Sequence, residues 1–369
     1  MKLPKRKPGN KPQAAAAPRG IPKTAIALII AVAAATIIWM ATANPTPQGT
    51  PCVNLSPAQD AFYRDARPFP TVRWLDGVNR SLEDYSCRTL IVLSWSSTCP
   101  ACVRDAAALS TLVRKYETQG VMAIAVHSPE FSFQEDARLV AAEAARLNVA
   151  FPVALDDNYS FSKVLDSQVL PHTFLVDGIG NLRFNQPGVL DLRKAEEALR
   201  NVLNSSGFNV TATPLEPPQA RALPRTNDLF AGYGLAPVPL GNEGGFRKNI
   251  AFNYTLPGAI TPGKLYLAGK WTILAEKAVA TNGEKALAAG FYGSNAYIVA
   301  TGTALLNVTV DGKPLNATQL GSDASTQGGE TTVNVTQPRL YHLANINHGW
   351  HLLIITTRDE LELYKLAFE

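Results

Sequence analysis

The chain carries four cysteines, Cys52, Cys87, Cys99 and Cys102, and the last two form the motif Cys99-Pro100-Ala101-Cys102. That spacing lets two sulfurs close a disulfide within one helical turn, so the chemistry on offer is thiol–disulfide exchange. Residues 89–95 (TLIVLSW) are an apolar, β-branched run of buried-strand type, and 101–116 has helical spacing. A strand then delivers Cys99 to a helix start, where unpaired backbone N–H groups and the positive end of the helix dipole favour thiolate over thiol. In this reading Cys99 attacks and Cys102 resolves the mixed disulfide. Pro100 is tolerated because the first helical turn has no N–H partner to lose. Half of a zinc ribbon has the same C-x-x-C, but zinc needs four ligands. No second C-x-x-C exists and the five histidines are scattered; His348-Gly349-Trp350-His351 reads as polar residues in a turn and strand start. No metal or cofactor is expected.

The elements that must position the motif alternate. Strand patterns at 121–127, 151–155, 172–177 and 182–184 interleave with helical patterns at 133–148, 160–165 and 192–203, after a strand-turn-strand signal in TVRWLDGVNRSL. Such alternation implies an α/β unit with a parallel-containing sheet and helices on both faces. Beyond residue 205 the texture turns Pro-rich and irregular. From about 241 short strand patterns at 264–268, 296–300, 304–310, 331–335, 351–356 and 361–368 are separated by turn signals such as Asp311-Gly312 and Asn347-His348-Gly349. That spacing argues for an all-β sandwich, jelly-roll-like.

Charge is uneven along the chain. All seven charged residues before Ala25 are cationic, so the 34 basic residues less those seven leave 27 against 30 acidic ones. The folded part is weakly acidic, and a nucleic-acid partner gains no support. Residues 24–43 are 20 uncharged, mostly apolar positions, enough to span about 30 Å of hydrocarbon. With a basic flank before it, this segment reads as a single anchor that leaves the bulk outside the cytoplasm. The rival reading is a cleaved signal peptide ending at Ala41-Thr42-Ala43. The expected order is a basic tail at 1–23, an anchor at 24–43, a linker at 44–69, an α/β domain at 70–206, a linker at 207–225 and a β domain at 226–369. In an exported chain Cys52 and Cys87 pair as a structural disulfide, stabilising by roughly 3 kcal/mol.

The segments WLDGVNRSLEDY, LIVLSWSSTCPAC, VMAIAVHSPEF and VLPHTFLVDGIGN, in this order, resemble the TlpA/ResA branch of the thioredoxin superfamily over about 70–205. HSPEF, and the later FAGYG, AGKWTI, LNVTVDGKPL, QPRLYHL and LELYKLAFE, are similar to the DipZ-like subgroup, whose C-terminal β domain is like a carbohydrate-binding module. The resemblance implies a thioredoxin fold and thiol–disulfide oxidoreductase activity. It implies that Pro171 is cis and packs beside Cys99 and Cys102, and that Trp95 either flanks the site or simply packs the core. Where the superfamily's classical member keeps a buried acid, this chain has Leu93. Glu130 is the replacement candidate, unless it is an ordinary surface carboxylate, and His172 is a candidate substrate contact. One predicted span implies a separate membrane electron donor of the CcdA/DsbD-like kind.

The leading function is therefore a dithiol reductant of exported protein disulfides. The same residues run in reverse serve a disulfide oxidase or isomerase. A different class is an envelope glycan- or protein-binding module with a passive thioredoxin-like spacer, and an intact C-x-x-C argues against it. A peroxidase of peroxiredoxin type would want Thr where the chain has Ser96.

Overall fold

The computed structural model describes residues 69–211, 213–215, 223–281 and 283–369. The expected membrane segment and Cys52 lie outside the described residues. Among the described residues no helix is long and apolar enough to cross a membrane.

The first region runs β1 (Arg73–Trp74), β2 (Thr89–Trp95), α1 (Pro100–Tyr116), β3 (Val121–His127), α2 (Ala137–Arg146), β4 (Val153–Leu155), α3 (Ser160–Leu165), β5 (His172–Val176), β6 (Leu182–Pro187) and α4 (Leu192–Ser205). Its sheet has the order β1-β4-β3-β2-β5-β6, with β2, β3 and β4 parallel and β5 and β6 antiparallel to their neighbours. Strand β2 is central and buried at every position, which is why it reads as a continuous apolar run rather than an alternating one. Ile91, Leu93 and Trp95 face a core shared with Leu109 of α1, Val140 of α2 and Leu199 of α4. Leu90 and Val92 face the opposite core, with Phe161 of α3 and Phe174.

Two local expectations change. The strand-turn-strand signal near residue 74 yields only β1, followed by a 3-10 turn at Leu82–Tyr85 closed by Asp84 accepting from the Ser81 N–H. The helix expected over 133–148 is split into a 3-10 turn, Ser132–Glu135, and α2. Asp136 takes an extended conformation and caps α2 by accepting from the Arg138 N–H at 2.9 Å.

The second region comprises β7 (Leu229–Phe230), β8 (Ala251–Tyr254), β9 (Leu265–Ile273), β10 (Ala278–Ala280), β11 (Lys285–Gly302), β12 (Ala304–Val310), β13 (Ala324–Gln327), β14 (Glu330–Val335), β15 (Arg339–Thr357) and β16 (Leu361–Phe368). All are hydrogen-bonded into one antiparallel β-rich sheet. The long strand β11 pairs with β9 through Ala286–Ala289 and with β16 through Ala296–Gly302, so the sheet bends around a single core containing Trp271, Phe291 and Tyr341. The turn expected at Asn347-His348-Gly349 is instead part of β15. Gly349 pairs with Gly293, and the next pairing is Asn345 with Asn295, so Ser294 faces Ile346, Asn347 and His348 in a bulge. The turn-forming residues are used to bend a strand, not to reverse it.

Both regions belong to one compact unit. They meet through an apolar cluster in which Phe131 and Val103 of the first pack with Val299, Leu340 and Tyr364 of the second. The Tyr364 ring lies 4.9 Å from Phe131 and 5.0 Å from Phe133 in edge contacts. Around this cluster Ser132 Oγ donates to Glu276 at 2.6 Å and Arg104 pairs with Glu369 at 2.6 Å. Strand geometry explains how Tyr364 reaches out. Leu363 pairs with Ala300 and Lys365 with Val299, leaving Tyr364 as a bulged residue. After that slip Tyr364 and Lys365, adjacent in sequence, both leave the β core and face the first region. Tyr364→Ala is expected to lower stability by about 3 kcal/mol in urea unfolding; a loss under about 0.5 kcal/mol would show that the contact contributes little.

Candidate active site at the cysteine pair

Cys99 is the N-cap of α1, in an extended conformation, and its Sγ accepts from the Cys102 N–H at 3.1 Å. Cys99 and Cys102 are joined as a disulfide, with Cα atoms 5.2 Å apart. Their environments differ. Cys99 is half-buried, whereas Cys102 is 0% exposed inside the apolar core. One sulfur is therefore open to attack or to attacking, and the other is reached only through its neighbour.

Cys99 opens onto a cavity of about 350 Å³. Pro100, Pro129, Glu130 and Leu170 line it from the first region; Asp228, Lys365 and Phe368 line it from the second. The Leu170–Pro171 peptide is cis. Glu130 thus lies in the cysteine cavity, but it is not free there. Lys365 Nζ donates to both of its carboxylate oxygens at 2.7 Å and to Asp228 at 2.9 Å. Lys365 is 1% exposed. Burial alone pushes its pKa down, yet the Glu130 and Asp228 carboxylates outweigh burial and hold it above the ordinary lysine value. It remains a buried cation.

Glu130 also receives a 2.7 Å hydrogen bond from Thr98 Oγ1, immediately before Cys99. Beneath it Gln134, 1% exposed, accepts from the Glu130 and Phe131 N–H groups and donates to Ser96 Oγ and Ser97 Oγ at 2.9 and 2.8 Å. One amide side chain thereby ties the loop before Cys99 to the loop after β3. His127 Nε2 lies 3.4 Å from the Gln134 amide nitrogen and 3.3 Å from Ser97 Oγ, on the edge of this polar network. Burial drops His127 to about 3, so the ring is neutral.

Other candidates fall elsewhere. Trp95 is 0% exposed and packs edge-on against His127 at 5.4 Å, a core position. His172 is not brought to the cavity. It pairs with Ser94 across the sheet, on the face of Val92 and Phe174, and strand alternation turns it away from the Leu93 face that carries the cysteine core. There it stacks on Phe174 at 4.1 Å, and its Nε2 lies 2.5 Å from Asn185 Oδ1. Cys87 is not a free thiol, and its expected partner Cys52 lies outside the described residues.

Sequence reasoning missed Gln134, Lys365, Asp228 and Asp105. Asp105, three residues after Cys102 in α1, is 2% exposed and accepts from the Leu190 N–H at 2.8 Å. Its signal was available, as an acid one helical turn beyond a buried cysteine; so was Lys365, a single cation in the apolar run LELYKLAF. Burial raises Asp105 from 3.8 to about 6. The folded chain therefore keeps this proton over a range where the unfolded chain releases it, and stability falls as pH climbs from about 4 to about 6. Asp105→Asn is expected to flatten that slope and to stabilise by roughly 2–3 kcal/mol above pH 7. An unchanged pH profile in denaturant titrations would show that the carboxyl titrates normally.

Residues 64–203 match the Redoxin family, and residues 226–368 match the family described as a thioredoxin-like C-terminal domain. The chain is 29% identical over 246 residues to protein DipZ of Mycobacterium tuberculosis, covering 64% of this chain and 34% of that protein. It thus spans about a third of the length of that relative. It is 25% identical over 130 residues to the thiol-disulfide oxidoreductase ResA of Geobacillus kaustophilus, covering 35% of this chain and 71% of ResA. It is 22% identical over 130 residues to the thiol-disulfide oxidoreductase YkuV of Bacillus subtilis, covering 35% and 87%. The chain therefore joins a redoxin domain, in which Cys99 and Cys102 form a half-buried disulfide, to a thioredoxin-like C-terminal domain, and over these parts it is similar to DipZ, ResA and YkuV.

Proposed function

We propose that the chain is a membrane-anchored, extracytoplasmic reductant of disulfides in exported proteins, with Cys99 as nucleophile and Cys102 as resolving thiol. The observation that carries this reading is the asymmetry of the pair: Cys99 faces the cavity and accepts a backbone N–H, while Cys102 is fully buried. In the reduced enzyme the Cys99 thiolate attacks one sulfur of a substrate disulfide, and the other leaves as a thiolate that takes up a proton. Cys102 gives up its proton and attacks Cys99 Sγ, releasing the second substrate thiol and closing the Cys99–Cys102 disulfide. Two electrons must then return from a donor, which we take to be a separate CcdA/DsbD-like membrane protein. Pro171, whose neighbour Leu170 lines the cavity, positions the substrate backbone beside Cys99. The anchor is residues 24–43, and the Cys52–Cys87 pair is structural.

The C-terminal domain supports a second partner class. We take its bent sheet as a carbohydrate-binding-module-like sandwich, and the feature favouring a glycan is Trp350, 62% exposed with its ring 5.1 Å from Tyr292. Trp271, at 1% exposed, belongs to the core and offers no such face.

The direction of the chemistry is tested by the reduction potential of the Cys99–Cys102 couple, titrated against dithiothreitol or glutathione. A value near or below about −270 mV, the level of thioredoxin, is expected; one near about −120 mV would identify an oxidase instead. Cys99→Ala should abolish exchange, and Cys102→Ala should accumulate a mixed disulfide on Cys99.

A further inference from the structure

We propose that Lys365, supplied by the β-rich domain, is a positioning residue of the redox site that compensates Glu130 and thereby sets how readily Cys99 holds a thiolate charge. This rests on the oxidoreductase reading above, because it requires Cys99 to ionise in the reduced enzyme.

The geometry is one short chain of contacts from the second domain to the cysteine loop. Lys365 Nζ binds both oxygens of Glu130 at 2.7 Å, Glu130 accepts from Thr98 Oγ1 at 2.7 Å, and Thr98 is covalently joined to Cys99. Lys365, Glu130 and Cys99 all line the same cavity. The Nζ group is further flanked by the Phe131 and Phe230 rings at 5.9 and 5.5 Å, which restrict the water that would otherwise screen it.

The remaining charges around the cavity leave Glu130 dependent on this one cation. Glu369 is paired with Arg104 at 2.6 Å, and Arg225 lies 3.4 Å from Asp228 while also donating to the Phe368 carbonyl at 3.0 Å. Asp105, one turn beyond Cys102 in α1, is buried and accepts from the Leu190 N–H at 2.8 Å. Glu130 is thus the carboxylate hydrogen-bonded next to the attacking cysteine, and Lys365 is the cation that both of its oxygens hold. With the cation removed, a net negative charge faces the forming thiolate; with the carboxylate removed, a net positive one does. At an effective dielectric constant near 20, one uncompensated charge roughly 12–24 Å away moves a thiol pKa by about half a unit to one unit, and a nearer charge moves it by more.

The test uses the reduced full chain, with the Cys99 pKa read from the pH dependence of iodoacetamide alkylation. Lys365→Met is expected to raise it by about half a unit or more, and Glu130→Gln to lower it by a similar amount. The double variant should return close to wild type, and Lys365→Arg should stay close to wild type. A packing role alone would move Lys365→Met and Glu130→Gln in the same direction. That result, or an unchanged pKa in Lys365→Met, overturns the proposal. If Lys365→Met does not fold, Glu130→Gln decides: a lowered pKa supports the proposal and an unchanged one overturns it. A wild-type couple that exchanges normally beside flat variants removes this inference alone. A wild-type pair with no exchange removes the functional reading as well.

Discussion

The architecture turns on one buried cation. Lys365 is withdrawn from water, and only the carboxylates of Glu130 and Asp228 make that position tolerable. Removing one partner of such a group leaves an uncompensated charge and costs roughly 3–5 kcal/mol, so the group punishes separation of the domains more than it rewards their meeting. Apolar contacts at Phe131 and Tyr364 contribute the attraction, and the ionic group fixes the register in which they meet.

That register places the last strand of the β-rich domain beside the cysteine pair. Here Phe368, Lys365 and Asp228 close one side of a cavity whose other side carries Cys99 and Leu170. Any molecule that enters the cavity at Cys99 therefore meets residues of both domains. The polar bridge through Gln134 extends the same constraint inward, because the loop that receives Lys365 is bonded to the loop that presents Cys99.

The local chemistry was legible in the sequence because it is local. Strand β2, the C-x-x-C and the helix start follow one another without interruption, and strand β3 has the bounds that its apolar run suggests. The sequence was a poor guide wherever meaning depends on a distant partner. Gln134 falls inside an apparent amphipathic helix because apolar spacing runs on from Phe133, although Asp136 is an N-cap residue type and the helix begins after it. The long strand β15 extends well beyond the expected 351–356 because Asn347-His348-Gly349 has turn chemistry, yet pairing across the sheet makes it a bulge. Glu130 was suspected from its place in a loop, but its partner lies 235 positions away and reaches it only through the slip at Tyr364. Adjacency to Pro171 suggests that His172 lies near the cysteines, whereas strand alternation places its ring on the Val92 and Phe174 face of the sheet.

The loop after β3 and the strand β16 are held as a single element across the two domains. Amide hydrogen exchange measures this directly, by comparing wild type with Lys365→Met at Phe131–Gln134 and along Leu361–Phe368. Exchange is expected to rise in both segments together while β2 and β3 stay protected. A rise confined to one segment, or none in either, would contradict it.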